Sequence, residues 1–271
     1  MHLHCQEFGE GAPVILLHGL LGSHQNLLPQ GRFLARHSRV FSPDLRNHGA
    51  SPHSVEFDYD VMANDLMELI RHRKLCRVTL IGHSMGGKVA MRFAQRNPER
   101  VSNLVVVDMS PRRYELVHLQ MLDTMLAFDL KQFSTRAEID TSLAAAVPNK
   151  SVRQFLLKNL GRDNEGALYW KPNLRAIRAN YSNLAGALPA DAVFTGSTLF
   201  VRGGGSDHIV DSDMKLILEL FPQATLETIP EAGHWVHADA PEVFNGILER
   251  FLHSDSRKGR GSTCPITRTA P

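Results

Sequence analysis

Cysteine is scarce in this chain. Its 271 residues include three, Cys5, Cys76 and Cys264, scattered and odd in number. They form neither a disulfide framework nor a metal-binding spacing, so reduced thiols and a cytoplasmic setting are expected. Long hydrophobic runs are also missing. No stretch approaches the ~18 apolar residues of a membrane span, and the first residues carry no basic-then-apolar signal segment. Neither sign of charge dominates: 30 Lys and Arg stand against 28 Asp and Glu, a formal net charge of +2. Arg257, Lys258, Arg260 and Arg268 against Asp255 put the slight basicity in the last residues. Nothing in this balance supports a nucleic-acid or membrane partner. Histidine and cysteine spacing offers no zinc site, and no G-x-G-x-x-G loop follows an early strand, so neither a metal nor a cofactor is expected. Internal repeats are absent. Oligomeric state is not encoded in any of these features.

What is present is an ordinary globular composition, 43% hydrophobic and 21% charged, on a chain long enough for one large core with an insertion. Short apolar runs at 14–17, 40–42, 78–81, 104–107, 199–201 and 226–229 alternate with helical patterns at 30–37, 59–72, 85–97, 213–221 and 241–252. The runs are continuous, as strands buried on both faces require. The alternation predicts an α/β fold, a mostly parallel sheet with helices on both faces. Residues 2–8 read as an antiparallel edge strand. Between 112 and 195 the rhythm breaks. No strong strand appears there, and helices are expected at 114–127, 133–147 and 151–161, with a loop at 163–166. Such an insertion would lie over the carboxyl ends of the strands, where open α/β sheets bind ligands. The expected organisation is therefore a core of 1–111 and 196–252, a helical cap of 112–195 and a disordered tail of 253–271.

The chemistry concentrates at Gly82-His83-Ser84-Met85-Gly86-Gly87-Lys88. An apolar strand runs into G-x-S-x-G and a helix follows, which predicts a serine exposed on a sharp strand-to-helix turn. Alone, the pattern is weak. The rest of the chain supplies a base at His234, in a Gly-His-Trp loop after the run at 226–229. His18-Gly19-Leu20-Leu21-Gly22, after the run at 14–17, supplies the second part of an oxyanion site. Leu20 and Met85 N–H groups would bind the developing charge, while His18 would brace the loop. Two carboxylates compete to orient His234. Asp108 ends the run at 104–107; Asp207 follows the run at 199–201. Both give the order Ser, Asp, His. Arg112 and Arg113, at the start of the insertion, read as solvated cations before anion receptors. Met121, Leu122, Met125 and Leu126 read as the inner face of the cap.

Together with Asp44-Leu45-Arg46-Asn47-His48-Gly49-Ala50-Ser51-Pro52-His53, Val107-Asp108-Met109-Ser110-Pro111 and Gly233-His234-Trp235-Val236-His237-Ala238, these motifs resemble the α/β-hydrolase superfamily. Within it they are similar to the YbfF-like esterase group, over roughly 13–252. The resemblance implies a serine hydrolase of carboxylic esters with a helical cap. It implies Asp108 as the acid and Ser206 as a support for the histidine. Asp207, Gly205 and His208 depart from the group's pattern. The expected activity is hydrolysis of short-to-medium acyl esters through an acyl-enzyme on Ser84. Acyl-CoA thioester cleavage and C–C bond hydrolysis are alternatives on the same residues. A non-catalytic ligand receptor is the alternative from another class. Dehalogenase chemistry is disfavoured, because that branch carries aspartate at the position of Ser84.

Overall fold

The computed structural model describes residues 1–256, with side chains through His253. Seven strands form one sheet in the order β1-β3-β2-β4-β5-β8-β9. They are β1 (Cys5–Phe8), β2 (Ala12–Leu17), β3 (Ser38–Pro43), β4 (Val78–His83), β5 (Val101–Val107), β8 (Ser197–Gly203) and β9 (Ala224–Ile229). Only β1 runs antiparallel, pairing with β3. The other ladders are parallel. All six residues of β4 are buried, as its unbroken apolar character requires.

Successive side chains of β5 point to opposite faces. Leu104 and Val106 enter one core with α2 (Tyr59–His72), α3 (Met85–Arg96) and α9 (Asp213–Leu220). Val105 and Val107 enter the other with α1 (Leu28–Leu34), α10 (Val236–Asp239) and α11 (Pro241–Ser256). The bounds of α2 match the expected 59–72, because Asp58 caps the helix by accepting the Val61 N–H at 2.8 Å. The expected tail at 253–271 shortens at its start, since α11 continues to Ser256; its remainder lies outside the described residues.

The segment between β5 and β8 carries α4 (Leu119–Ala127), α5 (Arg136–Leu143), α6 (Lys150–Leu157), α7 (Leu174–Ala179) and α8 (Tyr181–Ala185). Against expectation, the helices read at 133–147 and 151–161 shorten to Arg136–Leu143 and Lys150–Leu157, and two further differences stand out. Helix α4 begins at Leu119 rather than 114. Residue Tyr114 is held outside it, its hydroxyl donating to the His208 carbonyl at 2.5 Å and accepting the Ser110 N–H at 2.7 Å. A hairpin of β6 (Leu160–Arg162) and β7 (Leu168–Trp170) follows α6, where no strand was expected. Three-residue strands leave no periodic signal. Leu130, Ile139, Leu143 and Leu157 give the segment a small core of its own.

Its two roots are stitched together. Tyr114 N–H donates to Ala185 O and Leu188 N–H to Pro111 O, both at 2.8 Å. Lys88, buried in the first turns of α3, donates to Arg112 O at 2.8 Å and to Gly186 O at 2.5 Å. Burial lowers the Lys88 ammonium to about 7.

Among the described cysteines, Cys5 is a free thiol that burial pushes up to about 12. Cys264 lies outside the described residues. Among the described residues, no helix is long and apolar enough to cross a membrane.

Candidate active site

Strand β4 delivers its chain directly into Ser84, whose φ of 54° and ψ of −121° lie outside the regions open to most L-residues. The strained turn is over-determined by its neighbours. Ser84 N–H donates to Val107 O at 3.0 Å, and its carbonyl accepts from Gly87 N at 2.8 Å. The flanking glycines are required. A Cβ on Gly82 would stand 2.2 Å from Gly86 O, and one on Gly86 would stand 2.3 Å from Leu17 O. No side chain fits at either distance.

Asp108, at the end of β5, is fully buried and also adopts a positive φ of 49°. Its Oδ2 accepts from His234 Nδ1 at 2.7 Å and from the Ser206 hydroxyl. Its Oδ1 accepts the Gly203 N–H at 3.1 Å. Burial pushes the Asp108 carboxyl up, and the Ser206 and Gly203 donors oppose that. The His234 imidazole is pushed down to about 3, by burial first and the nearby His118 second, so the ring is neutral near pH 7. With Nδ1 on Asp108, Nε2 is its free nitrogen. Asp207, by contrast, is exposed. Its carbonyl accepts from Arg112, and the structure does not bring its side chain to His234. Consecutive residues of this loop point opposite ways, Ser206 inward and Asp207 outward.

Leu20 follows the loop out of β2, and Met85 opens α3. Among the described residues neither N–H has a hydrogen-bond acceptor. Gly19 lies against the nucleophile turn, where a Cβ would come within 3.2 Å of Ser84 Cβ. His18 braces this loop as expected: its Nε2 accepts the Leu45 N–H at 2.9 Å and its Nδ1 donates to Gly19 O at 2.8 Å. His48 acts alike, accepting the Leu21 N–H at 3.0 Å. Asn47 accepts the Ser54 N–H at 2.8 Å. Arg112 is not a free cation. It pairs with Asp213 at 3.2 Å and stacks on Tyr114.

Two pockets meet at Ser84. One, about 320 Å³, is lined chiefly by apolar groups, including Leu21, Met121, Val152, Phe155 and Trp235, and it also holds His234. The other, about 490 Å³, is lined by Tyr59, Met109, Tyr181 and polar groups such as Arg112, Glu115 and His208. Leu20 and His118 border both. A cavity of about 540 Å³ lies instead against the starts of β2 and β4, and none of the residues above lines it.

Three histidines surround His234; the sequence marked His208 only as a departure from the group's pattern, and it gave His83 and His118 no role. His208 stacks on it, ring centroids 3.7 Å apart and planes 17° apart. Ser206 gives its only proton to Asp108, so His208 Nδ1, 3.1 Å from Ser206 Oγ, is the donor in that contact. Burial and the His234 ring lower His208 to about 4. His83 donates from Nε2 to the His234 carbonyl at 2.8 Å, fixing the backbone behind the ring. His118 Nδ1 lies 2.6 Å from the Tyr181 hydroxyl. His83 sits inside the serine motif, a signal that could have exposed it. His208 and His118 come from separate loops that only the fold brings together.

A family model for the α/β hydrolase fold matches residues 12–241. The chain belongs to the α/β-hydrolase family. Within it, the chain falls in the YbfF-like esterase group: it is 32% identical over 245 residues to esterase YbfF of Escherichia coli, covering 89% of this chain and 93% of that protein. It is also 38% identical over 252 residues to the sn-1-specific diacylglycerol lipase ABHD11 of Danio rerio, covering 90% and 79%. Among solved structures, a marine microorganism esterase superposes with a TM-score of 0.90 at 39% identity, over 93% of this chain and 99% of that one.

Proposed function

We propose that the protein is a serine carboxylesterase in which Ser84 attacks the ester, His234 acts as base and Asp108 as acid. One observation carries the assignment: Asp108 Oδ2 holds His234 Nδ1 at 2.7 Å while His234 and Ser84 line one pocket. Nε2 of His234 takes the Ser84 proton as Oγ attacks the acyl carbon. The tetrahedral oxyanion is held by Leu20 and Met85 N–H, with the N-terminus of α3 adding its positive dipole end. His234 returns the proton to the leaving alkoxide. It then takes a proton from water as that water attacks the acyl carbon, and returns it to Ser84 Oγ as the Oγ–acyl bond breaks and the carboxylic acid leaves. Ser206 positions Asp108 rather than touching substrate. No metal or cofactor enters any step.

The apolar pocket takes the acyl chain, and its volume of about 320 Å³ suits short-to-medium acyl groups. The larger, more polar pocket takes the alcohol. Residues 112–195 act as a cap over the core of 1–111 and 196–252, because Met121, Val152 and Phe155 of the insertion wall the acyl pocket. A cytoplasmic location belongs to the same reading, and cell fractionation tests it.

Hydrolysis of p-nitrophenyl butyrate tests the function. Ser84→Ala is expected to lower kcat by at least about 10⁴-fold with the fold retained by circular dichroism. Retained turnover in that variant overturns the assignment. Acyl-CoA turnover, assayed beside it, separates ester from thioester preference.

A further inference from the structure

A second buried carboxylate with two imidazoles lies at the end of β3, away from Ser84. Asp44 is 1% exposed. Its Oδ1 lies 2.8 Å from His24 Nδ1 and its Oδ2 lies 3.2 Å from His4 Nδ1. All three ligand atoms fall within 4.8 Å of one another. The rings of His4 and His24 stand 5.2 Å apart around the carboxylate. Backbone N–H groups of His24 and Ala50 take one lone pair on each oxygen, at 2.7 and 2.9 Å.

The charge balance is unusual. A buried anion is normally paired with a cation or a metal. Among the described residues, no lysine or arginine forms an ion pair with Asp44, and its ion-pair partners are His4 and His24. The nearby Arg46 is engaged with Asp65, at 2.8 Å through Nη2. Burial pushes the Asp44 carboxyl up, but the Ala50 and His24 donors outweigh it and hold it below the usual carboxylate range.

We propose that His4, His24 and Asp44 bind a divalent transition-metal ion, with zinc as the best fit. Two imidazole nitrogens and one carboxylate oxygen are a borderline donor set that zinc accepts, with water completing four-coordination. The ion takes the place of the two Nδ1 protons. Each ring carries its N–H on Nε2 instead, for which no partner is found among the described residues. Ligand atoms around a tetrahedral zinc sit about 3.3 Å apart, as bonds of ~2.0–2.1 Å require. His24 Nδ1 lies 2.8 Å from Oδ1 and His4 Nδ1 lies 3.2 Å from Oδ2, so the set closes on one oxygen by a shift of the His4 ring. His4, whose side chain is 40% exposed, supplies both the remaining adjustment and the entry path. The ligands stand twenty positions apart along the chain, so no spacing motif announces them. The ion would tie the N-terminal segment and the loop after Leu20 to the end of β3.

Untagged protein, stripped with chelator, is titrated with zinc chloride by calorimetry and by thermal unfolding. The expected result is one equivalent bound and a Tm rise of about 5 °C at a hundredfold excess over Kd. His24→Gln and His4→Gln each weaken binding at least about tenfold, whereas His2→Gln does not. His4 lies before β1, so His4→Gln decides the matter if His24→Gln fails to fold. Absence of stoichiometric binding, or binding unchanged in both variants, overturns the proposal. Binding lost only in His208→Phe overturns it too, by moving the ion to the Asp108 cluster. None of these readouts depends on esterase activity.

Discussion

Among the described residues, two clusters share one composition, a buried aspartate facing two histidines, each at the carboxyl end of a strand. Around Asp108 the side chains of His208 and His234 are partly buried, 30% and 26% exposed, and His234 shares a pocket with Ser84. Around Asp44 the His4 side chain is 40% exposed and the His24 side chain 10%, and neither histidine lines the two pockets at Ser84. The ligand set is common to both, so composition does not decide what each can do. Surroundings do. A neutral imidazole oriented beside a strained serine is a base. Two imidazoles around a buried carboxylate that pairs with no lysine or arginine among the described residues, one of them open to solvent, make the receptor proposed for a cation.

Three measurements break or sharpen this contrast. The largest effect belongs to Asp108→Asn. Loss of the orienting carboxylate is expected to lower kcat by about 10⁴-fold, while Asp207→Asn stays within about twofold. Near-normal turnover without Asp108, with collapse without Asp207, would remove the catalytic half of the comparison.

The second is stability in acid. Burial lowers both His234 and the fully buried His48 to about 3. The unfolded chain takes up protons on these rings below about pH 6.5 and the folded chain does not until near pH 3. Stability therefore falls as pH drops through that window, by about 2 kcal/mol for each such ring at pH 5. Urea unfolding at pH 7.5 and 5.0 is expected to differ by at least about 4 kcal/mol. A difference under about 1 kcal/mol would show that these rings are not held neutral.

The smallest effect concerns the stacked ring. His208→Phe keeps the face against His234 and loses the donor to Ser206, a neutral hydrogen bond of ~1 kcal/mol. An approximately fivefold fall in kcat is expected. A fall beyond about 10³-fold would make His208 a proton carrier and the Asp108 cluster a different device.

The sheet was readable because its strands are unbroken apolar runs, and α2 because Asp58 marks its start. The short β6–β7 hairpin was not readable, since three residues carry no period. At the site, Ser84, His234 and the Leu20 loop follow from local motifs. Asp108 and Asp207 could not be separated by spacing alone, because both lie at strand ends after the serine. Their difference is orientation: Asp108 turns into the core through a positive φ, and Asp207 faces outward. The roles of His208 and His118 arise from contacts across loops that are distant in sequence. The Asp44 cluster was invisible for the same reason.

Lys88 and the backbone hydrogen bonds that join 111–114 to 185–188 hold both ends of the insertion to one point of the core. The insertion thus leaves and returns through a single fixed doorway. Everything between the two ends can be exchanged as a cassette, at little entropic cost for a change in length. Substrate preference in such a scaffold can drift by replacement of that module, while the reaction chemistry beneath it is inherited unchanged.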